Sequence, residues 1–268
     1  MTDPKVDRLS VATFDTIKVS DVSLAHSRRK VFVGLNITLA ARRTSAIIGR
    51  SGVGKSSLLR LIAGLPPLPL SGSVRDSAGS ALDGRVAYMG QQHLLLPWAS
   101  VRDNVLIGSR LRGESLDIER ADALIDAVAL SEYSNALPYA LSGGMCQRVA
   151  LARTLMEDRP IILMDEPFSA LDALSRHQLQ ELAAKLLAGR TVVLVTHDPL
   201  EAVRLSHVVY VMAGQPAQLH EAATLSDEPP RDITRDDIVD LQRKLLFDLG
   251  LRPGNDRTKR TGRHESQS

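Results

Sequence analysis

At 268 residues and 44% hydrophobic, the chain is long enough to bury a sizeable core, as one large domain or a domain carrying a subdomain. Its 33 basic and 31 acidic residues leave a formal charge of +2, too balanced to point to a nucleic-acid partner, and its single cysteine, Cys146, excludes an intrachain disulfide or a cysteine-built zinc cluster. No continuous run of about 20 apolar residues is present: the richest stretch, LLRLIAGLPPLPL, is broken by Arg60 and by prolines, and MTDPKVDRLS lacks the apolar centre of a secretory signal, so a reducing cytosol is the expected setting.

In chain order, residues 13–19 and 35–40 alternate apolar and polar positions and are expected to be half-exposed strands. TSAII, RVAYM, IILMD and TVVLVTH are different: short, nearly continuous and partly β-branched, as strands of a parallel sheet covered on both faces should be. Helix-length segments lie between them. The region from about 93 to 155 is expected to be wholly helical, an inserted subdomain in which Ala121, Leu124, Ile125 and Val128 follow the helical stripe. Leu171, Leu174, Leu182 and Leu186 are expected to share one face of a later helix. After TVVLVTH, Asp198, Pro199 and Glu201 carry the cap, first-turn and capping-box positions of another. Beyond Gly214 the pattern weakens. Residues 236–249 can form an amphipathic helix through Ile238, Leu241, Leu245 and Leu249, and RPGNDRTKRTGRHESQS is expected to be a disordered tail. The alternation argues an α/β fold.

Gly49 to Ser56, GRSGVGKS, matches the G-x-x-x-x-G-K-[ST] loop between an apolar strand and a helix. Glycines at 49, 52 and 54 let backbone N–H groups around Arg50, Ser51, Val53 and Ser57 curl about a β-phosphate. Lys55 can reach the β and γ oxygens, and Ser56 offers a hydroxyl to Mg²⁺. Asp165 ends IILMD and can reach Mg²⁺ through water, while Glu166, one residue on, can polarise an attacking water. Ligands of open parallel sheets gather beyond the carboxyl ends of the strands; Gly49, Gln91, Asp165 with Glu166, and His197 each follow such a strand and describe one rim. A second anion site is suggested by LSGG, where Ser142, Gly143 and Gly144 open a helix with no lysine following: its dipole favours a phosphate without a cation's grip.

The order of glycine loop, glutamine, LSGG, Asp-Glu, SALD and histidine resembles the ATP-binding cassette family over about residues 12–214. The resemblance implies a P-loop ATPase core with an inserted α-helical subdomain, residues 1–214, followed by a C-terminal extension, 215–268. It makes GRSGVGKSS the Walker A motif, Gln91 the Q-loop glutamine that senses metal and attacking water, LSGGMCQ the signature, ILMDE Walker B, SALD the D-loop and His197 the switch histidine touching the γ-phosphate. It further implies that ATP with Mg²⁺ is hydrolysed with Glu166 as base, and that two copies pack head to tail so that each signature caps the phosphate held by the other's Walker A loop. Three departures stand out. His26 falls where the family usually stacks an aromatic ring on adenine, ARRT replaces a common glycine and acid, and Met145 with Cys146 replaces a polar pair; Cys146 is expected to be a packed residue. QQHLLLPWASVRDNV resembles importer ATPases for nitrate, sulfonates, taurine and thiamine pyrimidine precursors, with Pro97 and Trp98 receiving a coupling helix. That implies a homodimer peripheral to the cytoplasmic face of the membrane, under two permease subunits fed by an extracytoplasmic substrate-binding protein. The wording GGMCQRVALARTL and the short extension lean toward the pyrimidine-precursor group. The alternative is a soluble ATP-binding cassette ATPase outside transport.

Overall fold

A computed structural model describes residues 16–26, 29–66, 69–169 and 171–250. The N-terminal MTDPKVDRLS, the start of the first expected strand, Ala170 of SALD and the C-terminal tail lie outside the described residues. In chain order the strands are β1 (Ile17–His26), β2 (Arg29–Leu39), β3 (Thr44–Ile48), β4 (Ser71–Arg75), β5 (Val86–Met89), β6 (Ile161–Asp165), β7 (Thr191–Thr196), β8 (Val208–Gly214) and β9 (Ala217–Thr224). The helices are α1 (Lys55–Ile62), α2 (Val101–Val105), α3 (Ile107–Arg112), α4 (Ile118–Ala127), α5 (Gly143–Met156), α6 (Ala173–Leu187), α7 (Pro199–Leu205) and α8 (Asp236–Asp248).

One nine-stranded sheet runs β4-β1-β2-β9-β8-β3-β7-β6-β5. Strands β5, β6, β7, β3 and β8 are parallel, and the β1–β2 and β8–β9 pairs are antiparallel hairpins. Every residue of β6 and β7 is buried, which explains why those runs are apolar without alternation. One face, through Ile48, Ile162, Met164, Val192 and Leu194, packs with residues of α6, α7 and α8. The other, through Ile47, Ile161, Leu163, Val193 and Val195, packs with α1 and the β1–β2 layer.

A third core belongs to the helical subdomain: Val101, Val105, Leu106, Ala121, Ile125 and Val128 pack on Cys146, Val149, Ala152 and Met156 of α5. Ala150, Leu151 and Leu155, on the other side of α5, belong to the sheet core. The helix therefore needs apolar residues nearly all round, and it contributes to the cores of both subdomain and sheet.

Three expectations need correction. The sheet continues past Gly214: that residue turns the β8–β9 hairpin, and β9 pairs with both β8 and β2. Of its residues, AQLHEAAT, four are exposed and only Ala217 is buried, so no apolar run marks them. Leu174 is 68% exposed, and the buried face of α6 is Leu179, Ala183 and Leu187, with Leu182 and Leu186 at its flank. The helix starts only after Asp172, whose carboxylate accepts from Leu174 N at 3.1 Å and Ser175 N at 3.0 Å, so a stripe counted from Leu171 is out of phase. In α7, Asp198 caps Leu200 N at 2.9 Å, but Glu201 does not close a capping box, because Asp198 N donates to Thr196 Oγ1 at 3.1 Å. Glu201 is instead buried against Gln180, and burial pushes its carboxyl up to about 8. The stripes of α4 and α8 form as expected, with Ala121, Ile125 and Val128, and Ile238, Leu245 and Leu249, buried.

Candidate active site

The loop from Gly49 to Gly54 joins the end of β3 to the start of α1. A Cβ on Gly49 would lie 2.5 Å from the Met212 carbonyl oxygen on β8, so the loop can leave the sheet only without a side chain there. Gly54 caps α1 at φ +118°, with Val31 Cγ1 2.6 Å from where a Cβ would sit. Lys55 follows, 4% exposed, its Nζ donating to Gly49 O at 2.8 Å and Arg50 O at 3.3 Å and lying 3.9 Å from Glu166 Oε1. Burial lowers its pKa, and the Glu166 and Asp165 charges oppose that shift.

Asp165 ends β6. Its Oδ1 accepts from Ser56 Oγ at 2.8 Å and its Oδ2 from Tyr88 Oη at 3.1 Å. Burial raises its pKa against those two bonds, and burial and the Asp165 charge raise that of Tyr88. Sequence reasoning missed Tyr88; the only available signal was a lone hydroxyl in an otherwise apolar strand beside IILMD. Glu166 adopts φ +47°, a left-handed conformation unusual outside glycine, held by Glu166 N to Val195 O at 2.8 Å and Ser169 Oγ to Glu166 O at 3.0 Å. That turn brings its carboxylate to Gln91 Nε2 at 3.3 Å and His197 Nδ1 at 3.2 Å. Three rim residues from three strand ends thus meet on one carboxylate.

Lys55, Ser56, Gln91 and Glu166 border a cleft of about 610 Å³ otherwise lined by His26, Arg29, Lys30, Val31, Ser51 to Gly54, Ser57, Gly214 and Gln215, a size suited to a nucleotide. His26 stands at its wall, and no tyrosine, phenylalanine or tryptophan is among the lining residues. Ser142, Gly143 and Gly144 are not part of the lining. Ser142 caps α5 by accepting from Met145 N at 3.3 Å, and Ser142 and Gly143 are exposed. Cys146 is buried and burial raises its thiol pKa, as expected of a packed residue. Leu95 is buried, whereas Trp98 is 75% exposed on the surface of the helical subdomain.

A family profile described as ABC transporter matches residues 32–169, about half of the chain, covering the glycine loop through Asp165, Glu166 and Ser169. The chain belongs to the ABC transporter family. It is an ABC-type ATPase, with the family's P-loop core and inserted helical subdomain. It is 41% identical over 241 residues to an uncharacterized ABC transporter ATP-binding protein of Haemophilus influenzae, a match covering 87% of this chain and 98% of that one. It is 38% identical over 231 residues to the aliphatic sulfonates import ATP-binding protein SsuB 2 of Pseudomonas syringae pv. tomato, covering 82% and 95%. Among solved structures, a dimeric post-hydrolysis state of the ATP-binding cassette MJ0796 bound to ADP and Pi aligns with TM-score 0.67 and 28% identity over 79% of this chain and 99% of that one. No helix among the described residues is long and apolar enough to cross a membrane.

Proposed function

We propose that this ABC ATPase powers import of a small solute through a separate transmembrane permease, working as a homodimer at the cytoplasmic face of the membrane, with an extracytoplasmic binding protein delivering the solute. The observation that carries the hydrolytic part is the convergence of Gln91 and His197 on the Glu166 carboxylate, at 3.3 and 3.2 Å, above a buried lysine in a nucleotide-sized cleft. Backbone N–H groups of the loop from Gly49 to Ser57 cradle the phosphates and Lys55 pairs with their charge; its present acceptors, Gly49 O and Arg50 O, yield to phosphate oxygens. Glu166 accepts a proton from water as the water oxygen bonds to the γ-phosphorus and the bond to the β–γ bridging oxygen breaks. Gln91 orients that water, and His197 contacts the γ-phosphate.

The residues fit Mg²⁺. Ser56 Oγ and Asp165 Oδ1 lie 2.8 Å apart, and no cluster of three or more His, Cys, Asp or Glu able to hold a metal occurs among the described residues. Such a sparse oxygen set suits an ion that keeps waters and phosphate oxygens as its other ligands. Ser56, Asp165 through water and Gln91 would hold the ion, which when bound neutralises phosphate charge.

Ser142 and Gly143 are exposed, and Gly144 half-buried, at a helix start outside the cleft, so a second copy is needed to bring that N-terminus to the γ-phosphate. Two composite sites result, which ATP binding closes and hydrolysis opens. The exposed Trp98 and Pro97 give the helical subdomain a face for a permease segment. Relatives named for aliphatic sulfonate import favour a sulfonate-type solute over a pyrimidine precursor. The reading predicts that deleting the chromosomal copy of this chain abolishes growth on an alkanesulfonate as sole sulfur source while growth on sulfate is unchanged. Normal growth on both, with no polytopic membrane protein copurifying, would favour the soluble ATPase outside transport.

A further inference from the structure

The loop from Gly90 to Ser100, between β5 and α2, is held by two different bodies. Its far half is gripped by Asn104 of α2, wholly buried, whose Oδ1 accepts from Leu96 N at 2.7 Å and whose Nδ2 donates to Ala99 O and Ser100 O, both at 3.0 Å. Its middle is gripped by Arg153 of α5: Nη1 donates to Leu94 O at 2.9 Å and Nη2 to His93 O at 2.6 Å. Leu94 needs such a clamp. Its φ is +43° and its side chain is 68% exposed, so packing offsets little of the cost of the left-handed backbone. Both gripping residues belong to the helical subdomain, and Arg153 stands on the same helix that Ser142 caps. Gln91, two residues ahead of the clamp, is held from the opposite side by Glu166 of the catalytic core.

We propose that Arg153 is a positioning residue for hydrolysis: by holding the carbonyls of His93 and Leu94 it makes the segment from His93 to Ser100 ride with α5, so that a tilt of the signature helix reaches Gln91 across the short span Gly90–Gln92. The one guanidinium ties the helix start offered to a partner's nucleotide to the glutamine beside the chain's own Glu166. This rests on Gln91 acting in hydrolysis, and it deepens that reading by naming what sets the position of Gln91.

The test is steady-state Mg-ATP hydrolysis by the purified full-length chain as wild type, Arg153→Ala, Arg153→Lys, Gln91→Ala and the Arg153→Ala/Gln91→Ala double variant, with thermal melting of each. Arg153→Ala should lower kcat by about fivefold to tenfold and leave the KM for ATP within about twofold, because the lost interaction orients the reaction rather than binding nucleotide. Arg153→Lys, which can donate to one of the two carbonyls, should fall between, and if Arg153→Ala does not fold the cycle is run with Arg153→Lys. In the Gln91→Ala background, loss of Arg153 should change kcat by less than about twofold, since residues acting through one another are not additive. A double variant reduced by the product of the two single effects, or an Arg153→Ala enzyme with wild-type kcat beside an impaired Gln91→Ala, overturns the proposal while leaving the role of Gln91 intact. An unimpaired Gln91→Ala enzyme overturns both, and a wild-type chain without ATPase activity overturns the proposed function itself.

Discussion

Glu166→Gln separates chemistry from binding in this site. The change is nearly isosteric, and the hydrogen-bonded backbone that holds φ at +47° is untouched, so the side chain stays between Gln91 at 3.3 Å and His197 at 3.2 Å. What goes is the capacity to take a proton. A positioned general base contributes about 10² to 10⁴ in rate, or roughly 3–5 kcal/mol of barrier. Lys55 loses a charge partner only at 3.9 Å, while its bonds to Gly49 O and Arg50 O can still be exchanged for phosphate oxygens, so nucleotide affinity should fall by less than about threefold or rise. The assay is single-turnover hydrolysis of radiolabelled ATP with Mg²⁺, paired with equilibrium nucleotide binding and with sedimentation to follow dimer closure. Hydrolysis reduced at least about a hundredfold, with ATP retained in a closed dimer, is the expected result. A Glu166→Gln enzyme turning over within about threefold of wild type would refute the assignment of the base.

Glu201 makes stability depend on pH. Its folded pKa of about 8 is raised from 4.5 by burial first and then by Asp198, against Thr196, Arg176 and Gln180, so between those values the folded state holds a proton that the unfolded state has lost. Stability from this residue is therefore complete well below pH 4.5 and declines toward pH 8, with a slope approaching about 1.4 kcal/mol per pH unit at most. Urea unfolding between pH 5 and 8 should show that decline, and Glu201→Gln should flatten it; an unchanged slope in the variant would assign the dependence to other groups. Gly49→Ala would place a Cβ 2.5 Å from the Met212 carbonyl oxygen. Backbone must then shift where Gly49 O accepts from Lys55, and ATP affinity measured by calorimetry should fall about tenfold or more.

The phosphate loop, Asp165, Glu166, Gln91 and His197 were legible because each sits within a residue or two of the end of an apolar strand, and a parallel sheet carries all such ends to one edge. The helical stripes of α4 and α8 were legible for the same local reason, a repeat contained within the element. Strands β4 and β9 were not: they lie outside the doubly covered centre, only Ala217 among their side chains is buried, and they owe their place to pairing with β1, β2 and β8. Tyr88 and Arg153 were missed because their partners, Asp165 and the carbonyls of His93 and Leu94, are remote along the chain and no spacing rule links them. Glu201 shows the opposite failure. A pattern that fits a capping box locally is overridden when Thr196 takes the Asp198 N–H and the glutamate side chain turns into the protein.

Whether the site is completed by a second copy is tested most directly by complementation between two inactive variants, Lys55→Ala and Ser142→Arg. Alone, each should lack ATPase activity, since every composite site contains one damaged half. Mixed in equal amounts, they form heterodimers in which one site joins an intact Lys55 to an intact Ser142, and activity should return to about a quarter of wild type if copies pair at random and each site works alone. A mixture no more active than its separate components, while cross-linking shows that heterodimers have formed, would contradict catalysis between subunits.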